Sequence, residues 1–524
     1  MDTKALRQKM LDLAIRGKLV PQDPNDEPAS VLLERIRQQK QQMVKEGKLK
    51  AKDIKNDSII FVGEDNLHYE KFADGSVKCI EDEIPLDLPE GWAWERLSNL
   101  AAFSGGKTPS TSRREYWDGE VLWVTSKDMK SKYITSSQLR LSALGAEQMQ
   151  VYQPDTLLLV TRSGILRHTL PIAILKECAT VNQDLKAIVL YMPELAEYIY
   201  VCLKGMETQL LLKYTKSGTT VENVNFDEFR KVLLPIAPLH EVGKIIAATN
   251  DATQIVSAIE DDKVALAEYV ARAKAKILDL AIRGQLVPQD PNDEPASVLL
   301  ERIRAEKEEL IRQGKIKRDK KESVIFRGED NSYYIRQDTH TESIDEQFVF
   351  ELPDNWEWCS LRNIAKIELG KTLDRAKNTG TNYPYLRSIN VRWNEVDLSD
   401  LKEMQFEPEE LDRYTVRQND LLICEGGDVG RSCVWTDDKE ILYQNALHRV
   451  RFYGECNPFY FMYHMMYYES RGIIKSLCKG VTIKHLTGNV LSLIPFALPP
   501  LEEQSRIVEK LDQIFALIEG IISD

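Results

Sequence analysis

No two of the eight cysteines (Cys79, Cys178, Cys202, Cys359, Cys424, Cys433, Cys456, Cys478) form a CxxC pair. That spacing excludes a zinc ribbon or a disulfide framework and fits a reducing compartment. The seven histidines are scattered, with no HxxxH pair, so no metal ligand set is expected. No uninterrupted apolar run approaches the roughly 20 residues that span a bilayer. The opening MDTKALRQKMLDLAIRGK has the pattern of an amphipathic helix and carries no signal-peptide core or cleavage site. The expectation is therefore a cytoplasmic protein with no membrane partner. The GKT triplets at 106–108 and 370–372 suggest a phosphate loop, but such a loop needs a glycine five residues before its last one. Those positions hold Ala101 and Ala365. GGDVG at 426–430 reads as a turn between strands, too short for a dinucleotide fingerprint. No catalytic, cofactor-binding or metal-binding residue is assigned.

The chain does have length, charge and repetition. At 524 residues it exceeds one ordinary core, so two or more domains are expected. Hydrophobic residues are 43% and charged residues 29%, the profile of a soluble globular protein. The net charge of −13 argues against indiscriminate nucleic-acid binding but leaves room for a local basic groove.

LDLAIRGKLVPQDPNDEPASVLLERIR, Leu11 to Arg37, returns from Leu278 to Arg304 with one change, Lys18 against Gln285. The likeness then decays. FVGED at 61–65 returns as FRGED at 326–330, LPEGWAWERLSNL at 88–100 as LPDNWEWCSLRNI at 352–364, and GKT as GKT. APLHEVGKII at 237–246 matches PPLEEQSRIV at 499–508. Two homologous halves follow. The continuous conserved unit in the middle has its second copy cut in two, one piece at each end of the chain.

Apolar positions at spacings of three and four predict one long helix over 239–283 and another after Leu501. Gly284 and Gly17 would end their helices, PQDPNDEP would form a polar turn, and Pro295 and Pro28 would open a second helix. At about 1.5 Å per residue the long helix spans roughly 65–70 Å and is suited to holding two bodies apart. A packed core tolerates volume-conserving swaps, so near-identity points to one surface offered twice, or to recent duplication. The basic tracts at 45–55 and 312–321 read as solvated loops, with phosphate contact as the functional alternative.

Residues 85–235 and 350–495 read as mixed α/β bodies with short β-like runs such as VLWVT, TLLLVT and DLLICEG. Trp92, Trp94, Trp356 and Trp358 alternate as at a strand start and are expected in the core. The ordered pieces LPEGWAWERLSNLAAFSGGKTP, EYWDGEVLWVTSKDM, VTRSG, VNQDL and SGTTVENVNFDEFRKVLLPIAPLHE resemble the DNA specificity subunit of type I restriction–modification systems. So do LPDNWEWCSLRNIAKIELGKT, YPYLRSINV, LLICEGGDVG, YQNALHRV and KGVTIKHLTGNVLSLIPFALPPLEEQ. The resemblance covers nearly the whole chain. It implies two mixed α/β target-recognition domains, separated by long antiparallel helices and related by a pseudo-two-fold as a circularly arranged repeat. The expected division is an N-terminal helical hairpin at 1–56, recognition domains at 57–236 and 317–498, a central spacer at 237–316 and a C-terminal helix at 499–524. It also implies that each domain reads one half of a bipartite double-stranded DNA site. Two methyltransferase subunits would bring S-adenosylmethionine, and restriction–translocase subunits would complete the complex. A stand-alone adenine methyltransferase is the first alternative. Asn457-Pro458-Phe459-Tyr460 approaches its base-gripping loop but lacks the second proline and reads as a capped helix start. A purely structural coiled-coil adaptor, the second alternative, leaves the two α/β bodies unexplained.

For DNA contact the first domain offers Lys107, Thr108, Arg113, Arg114, Lys127, Arg162, Arg167, Lys216 and Thr220. The second offers Lys371, Thr372, Arg375, Arg387, Asn390, Arg392, Arg431, Lys479, Thr482 and Lys484. Arginine grips guanine and asparagine adenine through two bonds, while lysine and threonine suit phosphates. All are placed in glycine-rich or polar loops, where recognition residues usually lie.

Overall fold

The computed structural model describes residues 2–216, 221–318, 323–337, 340–344, 349–374, 379–478 and 485–523. Two compact units divide the chain, Met1–Lys263 and Val264–Asp524, and the division falls inside a 44-residue helix, Leu239–Ile282. That helix stops where the sequence says it should. Gly284 adopts φ +68°, and Gly17, after the helix Thr3–Ile15, adopts φ +64°. In each copy the N–H beyond the glycine returns to the last turn, Lys18 to Leu13 at 2.9 Å and Gln285 to Leu280 at 2.8 Å. Glycine takes this left-handed cap without strain. After the polar turn the second helices start just past the prolines, at Ala29–Lys45 and Ala296–Arg312.

Each unit builds its own helix pair from segments far apart in the chain. In the first unit, Arg7 of the N-terminal helix bonds Ser257 at 2.9 Å and Glu260 at 2.8 Å. In the second, Lys274 meets Glu519 of the C-terminal helix Leu501–Ser523 at 3.1 Å and lies 5.1 Å over the Phe515 ring. Each end piece of the split repeat thus pairs with the central helix inside one unit, which covers part of the amphipathic stripe.

A small three-stranded antiparallel sheet, which the sequence reading did not anticipate, precedes each α/β body: 58–62, 68–72, 77–79 and 323–327, 333–337, 340–343. The bodies share the order of the first four strands of their main sheets. In the first unit it runs Ala101–Gly105, Leu185–Leu190, Leu157–Val160, Ile172–Leu175, Tyr133–Ile134. In the second it runs Ala365–Leu369, Leu447–Phe452, Leu421–Cys424, Ser432–Val434. The interior strands LLLV and LLIC are wholly buried, as uninterrupted apolar runs should be. The first and last strands of each body pair antiparallel, Ala93–Arg96 with Leu233–Ile236 and Glu357–Ser360 with Pro495–Leu498. Both ends of a body therefore meet at the same edge.

There the repeated helices grip it. Trp92 Nε1 donates to Glu241 at 2.9 Å, and Trp356 Nε1 donates to Glu503 at 2.9 Å. All four expected tryptophans are buried. Burial pushes both glutamate carboxyls above the ordinary range, partly offset by the indole bonds. A Cβ on Gly17 would stand 2.5 Å from Pro89, and one on Gly284 2.5 Å from Pro353. Part of the repeated stretch is therefore fixed by packing. Lys18 and Gln285, where the copies differ, are both exposed. No described helix is long and apolar enough to cross a membrane.

Asn457 caps the helix Pro458–Ser470 by accepting from the Phe459 N–H at 3.1 Å, so this motif is a helix start. On that helix His464 is fully buried among Tyr460, Tyr468 and Phe496 and accepts from the Ala497 N–H at 3.3 Å. Burial pushes its pKa down to about 3. The unfolded chain binds a proton at His464 near pH 6.5 and the folded chain does not. The stability from the neutral ring is therefore whole above pH 6.5 and lost as pH falls toward 3. The slope contributed is at most about 1.4 kcal/mol per pH unit. Denaturant unfolding from pH 7.5 to 5 should show a slope for the wild type that His464→Phe flattens, and equal slopes would contradict this.

Candidate nucleic-acid interface

In the first unit four loops meet at one end of the main sheet. The strand ending at Gly105 runs into Gly106-Lys107-Thr108, and the Lys107 N–H donates to Val181 O at 3.1 Å. The Asn182 N–H donates to Val124 O at 3.0 Å, which brings in the Thr125–Asp128 turn. The Thr161 N–H donates to Asp184 O at 2.8 Å, and the Val224 N–H to Thr161 O at 2.9 Å. A short sheet then sets Arg162 opposite Asn223 and Asn223 opposite Lys216, all three exposed.

The second unit repeats this frame bond for bond. The Lys371 N–H donates to Tyr443 O at 3.2 Å, Gln444 to Leu386 O at 3.0 Å, Glu425 to Ala446 O at 2.9 Å and Leu486 to Glu425 O at 2.9 Å. The glycine of each GKT is fixed by this crossing. A Cβ on Gly106 would stand 2.0 Å from Val181 O, and one on Gly370 2.2 Å from Gln444 O. The triplet is a backbone crossing, and its glycine is required by closeness to a neighbouring carbonyl.

Of the expected residues in the first unit, Lys107, Thr108, Lys127, Arg162 and Lys216 come together at this end, and all are exposed. Arg113 and Arg114 lie on the exposed loop that continues from it, with Arg113 bonded to the Tyr116 hydroxyl at 2.8 Å. Arg167 is exposed and paired with Glu222 at 2.8 Å. In the second unit Thr372 and Arg392 are exposed, Arg392 with Asp397 at 3.0 Å. Arg387 pairs with Asp400 at 2.7 Å, and Arg431 with Asp428 at 2.6 Å. Thr220, Arg375, Lys479, Thr482 and Lys484 lie outside the described residues.

The structure revises two expectations. Lys371 is 6% exposed, its amine held by Glu410 at 2.5 Å and Gln405 O at 2.9 Å. Asn390 is 2% exposed; it accepts from the Arg387 N–H at 2.9 Å and donates to Asp397 O at 2.9 Å and Asp400 O at 3.2 Å. Both fold the frame from inside. Asn390 does in its turn what Asp128 does in the other unit, where it accepts from the Thr125 N–H at 2.8 Å.

Sequence reasoning passed over Asn223, Gln183 and Asn445. The last two follow the crossing itself. Thr108 Oγ1 donates to Gln183 Oε1 at 2.5 Å, and Asn445 Nδ2 donates to Thr372 Oγ1 at 3.4 Å. The available signal was the pair of amides in VNQD and YQNA at matching positions.

The two GKT lysines should therefore behave differently. Lys107→Ala is expected to weaken DNA binding at every sequence and lower the salt slope by about one. Lys371→Ala is expected to leave the salt slope unchanged and lower the unfolding midpoint, because Glu410 loses its partner. Salt-dependent binding titrations and thermal unfolding of the two variants separate the cases.

The profile of the type I restriction modification DNA specificity domain matches residues 89–263 and 353–523. The EcoAI type I restriction enzyme specificity subunit of Escherichia coli is 26% identical over 98% of this chain and 88% of its own length. The EcoEI specificity subunit of Escherichia coli is 25% identical over 99% of this chain and 90% of its own. A solved chain from work on complex assembly and conformational transition of a type I R-M system shares the fold. Its TM-score is 0.53 at 18% identity, over 84% of this chain and 94% of that one.

Proposed function

The chain belongs to the type I restriction–modification DNA specificity family, and from that membership we propose how its parts divide the work. It is a non-catalytic DNA-recognition subunit. Each α/β body reads one half of a bipartite site in double-stranded DNA, and the helices set the distance between the halves. The recognition domains, each a small sheet with its α/β body, correspond to 57–236 and 317–498, and the helical parts to 1–56, 237–316 and 499–524. The observation that carries this reading is the loop frame made twice with the same backbone bonds and different side chains around it. A shared frame with divergent contacts suits two different sequences read in one geometry.

The repeated helical hairpins dock two methyltransferase subunits, which bring S-adenosylmethionine, and restriction–translocase subunits join that core. Pro21, Gln22, Asp23, Pro24 and Asn25 are exposed in the first copy, as are Pro288, Gln289, Pro291 and Asn292 in the second. Packing alone does not demand identity at exposed positions, whereas two copies of one partner would. The complex works in the cytoplasm, with the DNA. Native mass spectrometry of the chain co-expressed with its methyltransferase subunit is expected to show two such subunits per chain. A single one, saturated, would overturn the docking arrangement.

A further inference from the structure

We infer that Gln183 and Asn445 are equivalent base-reading amides, each recognising an adenine at the corresponding place of its half-site. The inference rests on the proposed function and adds a residue and a base to it.

Three observations support it. First, the two side chains occupy the same position in the frame, one residue after the Asn182 and Gln444 N–H groups that bond Val124 O and Leu386 O at 3.0 Å each. Second, each touches the threonine of its GKT triplet, Gln183 accepting from Thr108 at 2.5 Å and Asn445 donating to Thr372 at 3.4 Å. Third, the neighbouring lysines do not match, since Lys107 is exposed while Lys371 is buried on Glu410. The threonine–amide pair is a polar feature at the sheet end that both units retain, beside the Asp128 and Asn390 turns whose side chains are spent on backbone N–H groups.

The chemistry singles out adenine. A carboxamide offers one donor and one acceptor side by side, matching adenine N7 and N6–H in the major groove. Gln183 spends one oxygen lone pair on Thr108. Asn445 spends one N–H on Thr372 and one lone pair on the Ala446 N–H at 2.5 Å. Each amide keeps an N–H and a lone pair for a base edge. The threonine contact restrains each side chain before DNA arrives, the carboxamide oxygen facing Thr108 in the first unit and the amide nitrogen facing Thr372 in the second, which lowers the ordering cost on binding.

The test is selection of bound duplexes from a random-sequence pool by the full chain in complex with its methyltransferase subunits. Gln183→Ala is expected to make one adenine position of the first half-site degenerate, a loss of at least about tenfold discrimination. The second half-site should be unchanged. Asn445→Ala should do the same in the second half-site alone. Gln183→Glu, nearly isosteric and acceptor-only, should shift that position from adenine toward cytosine. Gln183 is exposed, so its two variants leave the core intact, and they carry the test if Asn445→Ala, at a half-buried position, disturbs its loop. If the unaltered complex selects a two-block site and the variants select the same one, this inference is overturned and the proposed function stands. If the unaltered complex selects no two-block site, the proposed function itself fails.

Discussion

Exchanging residues 85–235 for the matching domain of another family member should replace one half of the recognised site and leave the other half and the gap as they were. The exchanged segment carries its own closure, because the strand Ala93–Arg96 and nearly all of its partner Leu233–Ile236 come from the same parent. Part of its interior travels with it, from Leu157 and Leu159 through Ile188 to Leu234, and that cluster continues into Ile15, Leu32, Ile36 and Ile245 of the resident helices, so the incoming domain has to present the same apolar face. Trp92 of the incoming domain has to find Glu241 of the resident helix, a single buried hydrogen bond of 2.9 Å that any tryptophan at that position can make. Binding to the old site should fall to the non-specific level, a loss of about a thousandfold or more. Binding to a hybrid site built from the two parents should be restored. A change in both halves would show that the bodies do not read independently.

The second large effect concerns the long helix. Four residues inserted after Lys263 lengthen it by about 6 Å and fall at the division between the units, so neither core is opened. Val264 and Tyr269, just beyond, are 62% and 63% exposed, so the insertion disturbs little packing. With base pairs spaced about 3.4 Å apart, the gap between half-sites should lengthen by about one to two base pairs while both blocks keep their sequences. Selection of bound duplexes by the lengthened chain reads this directly. An unchanged gap would show that the helix does not set the spacing.

The helices, their glycine ends and the buried tryptophans were legible in the sequence because each depends on nearby residues. A stripe at spacings of three and four, a glycine after the last apolar residue, and a tryptophan at every second position all report within one element. The split of the repeat between the two chain ends was legible too, since the matching pieces could be aligned. The site was only half legible. Lys107 and Lys371 sit in the same triplet, and what separates them is Glu410, a carboxylate 39 residues downstream that draws one amine inward. Asn390 was chosen for its amide, but that amide is consumed by the carbonyls of Asp397 and Asp400, which only the folded turn brings to it. Gln183 and Asn445 were passed over because they precede buried strands. The crossing beneath Gly106 and Gly370 is what turns them to the sheet end. The small sheets at 58–79 and 323–343 were missed because their alternation is short and their outer faces keep exposed Ile59, Phe61, Val77 and Val324.

The central claim is that one chain reads two different short sequences at a fixed separation. It is tested most directly by sequencing the methylated positions in DNA from cells that express the chain with its methyltransferase subunit. The account predicts methylated adenines in one asymmetric motif of two specified blocks, separated by an unspecified gap of constant length. A continuous motif, a palindromic one, or blocks at variable spacing would contradict it.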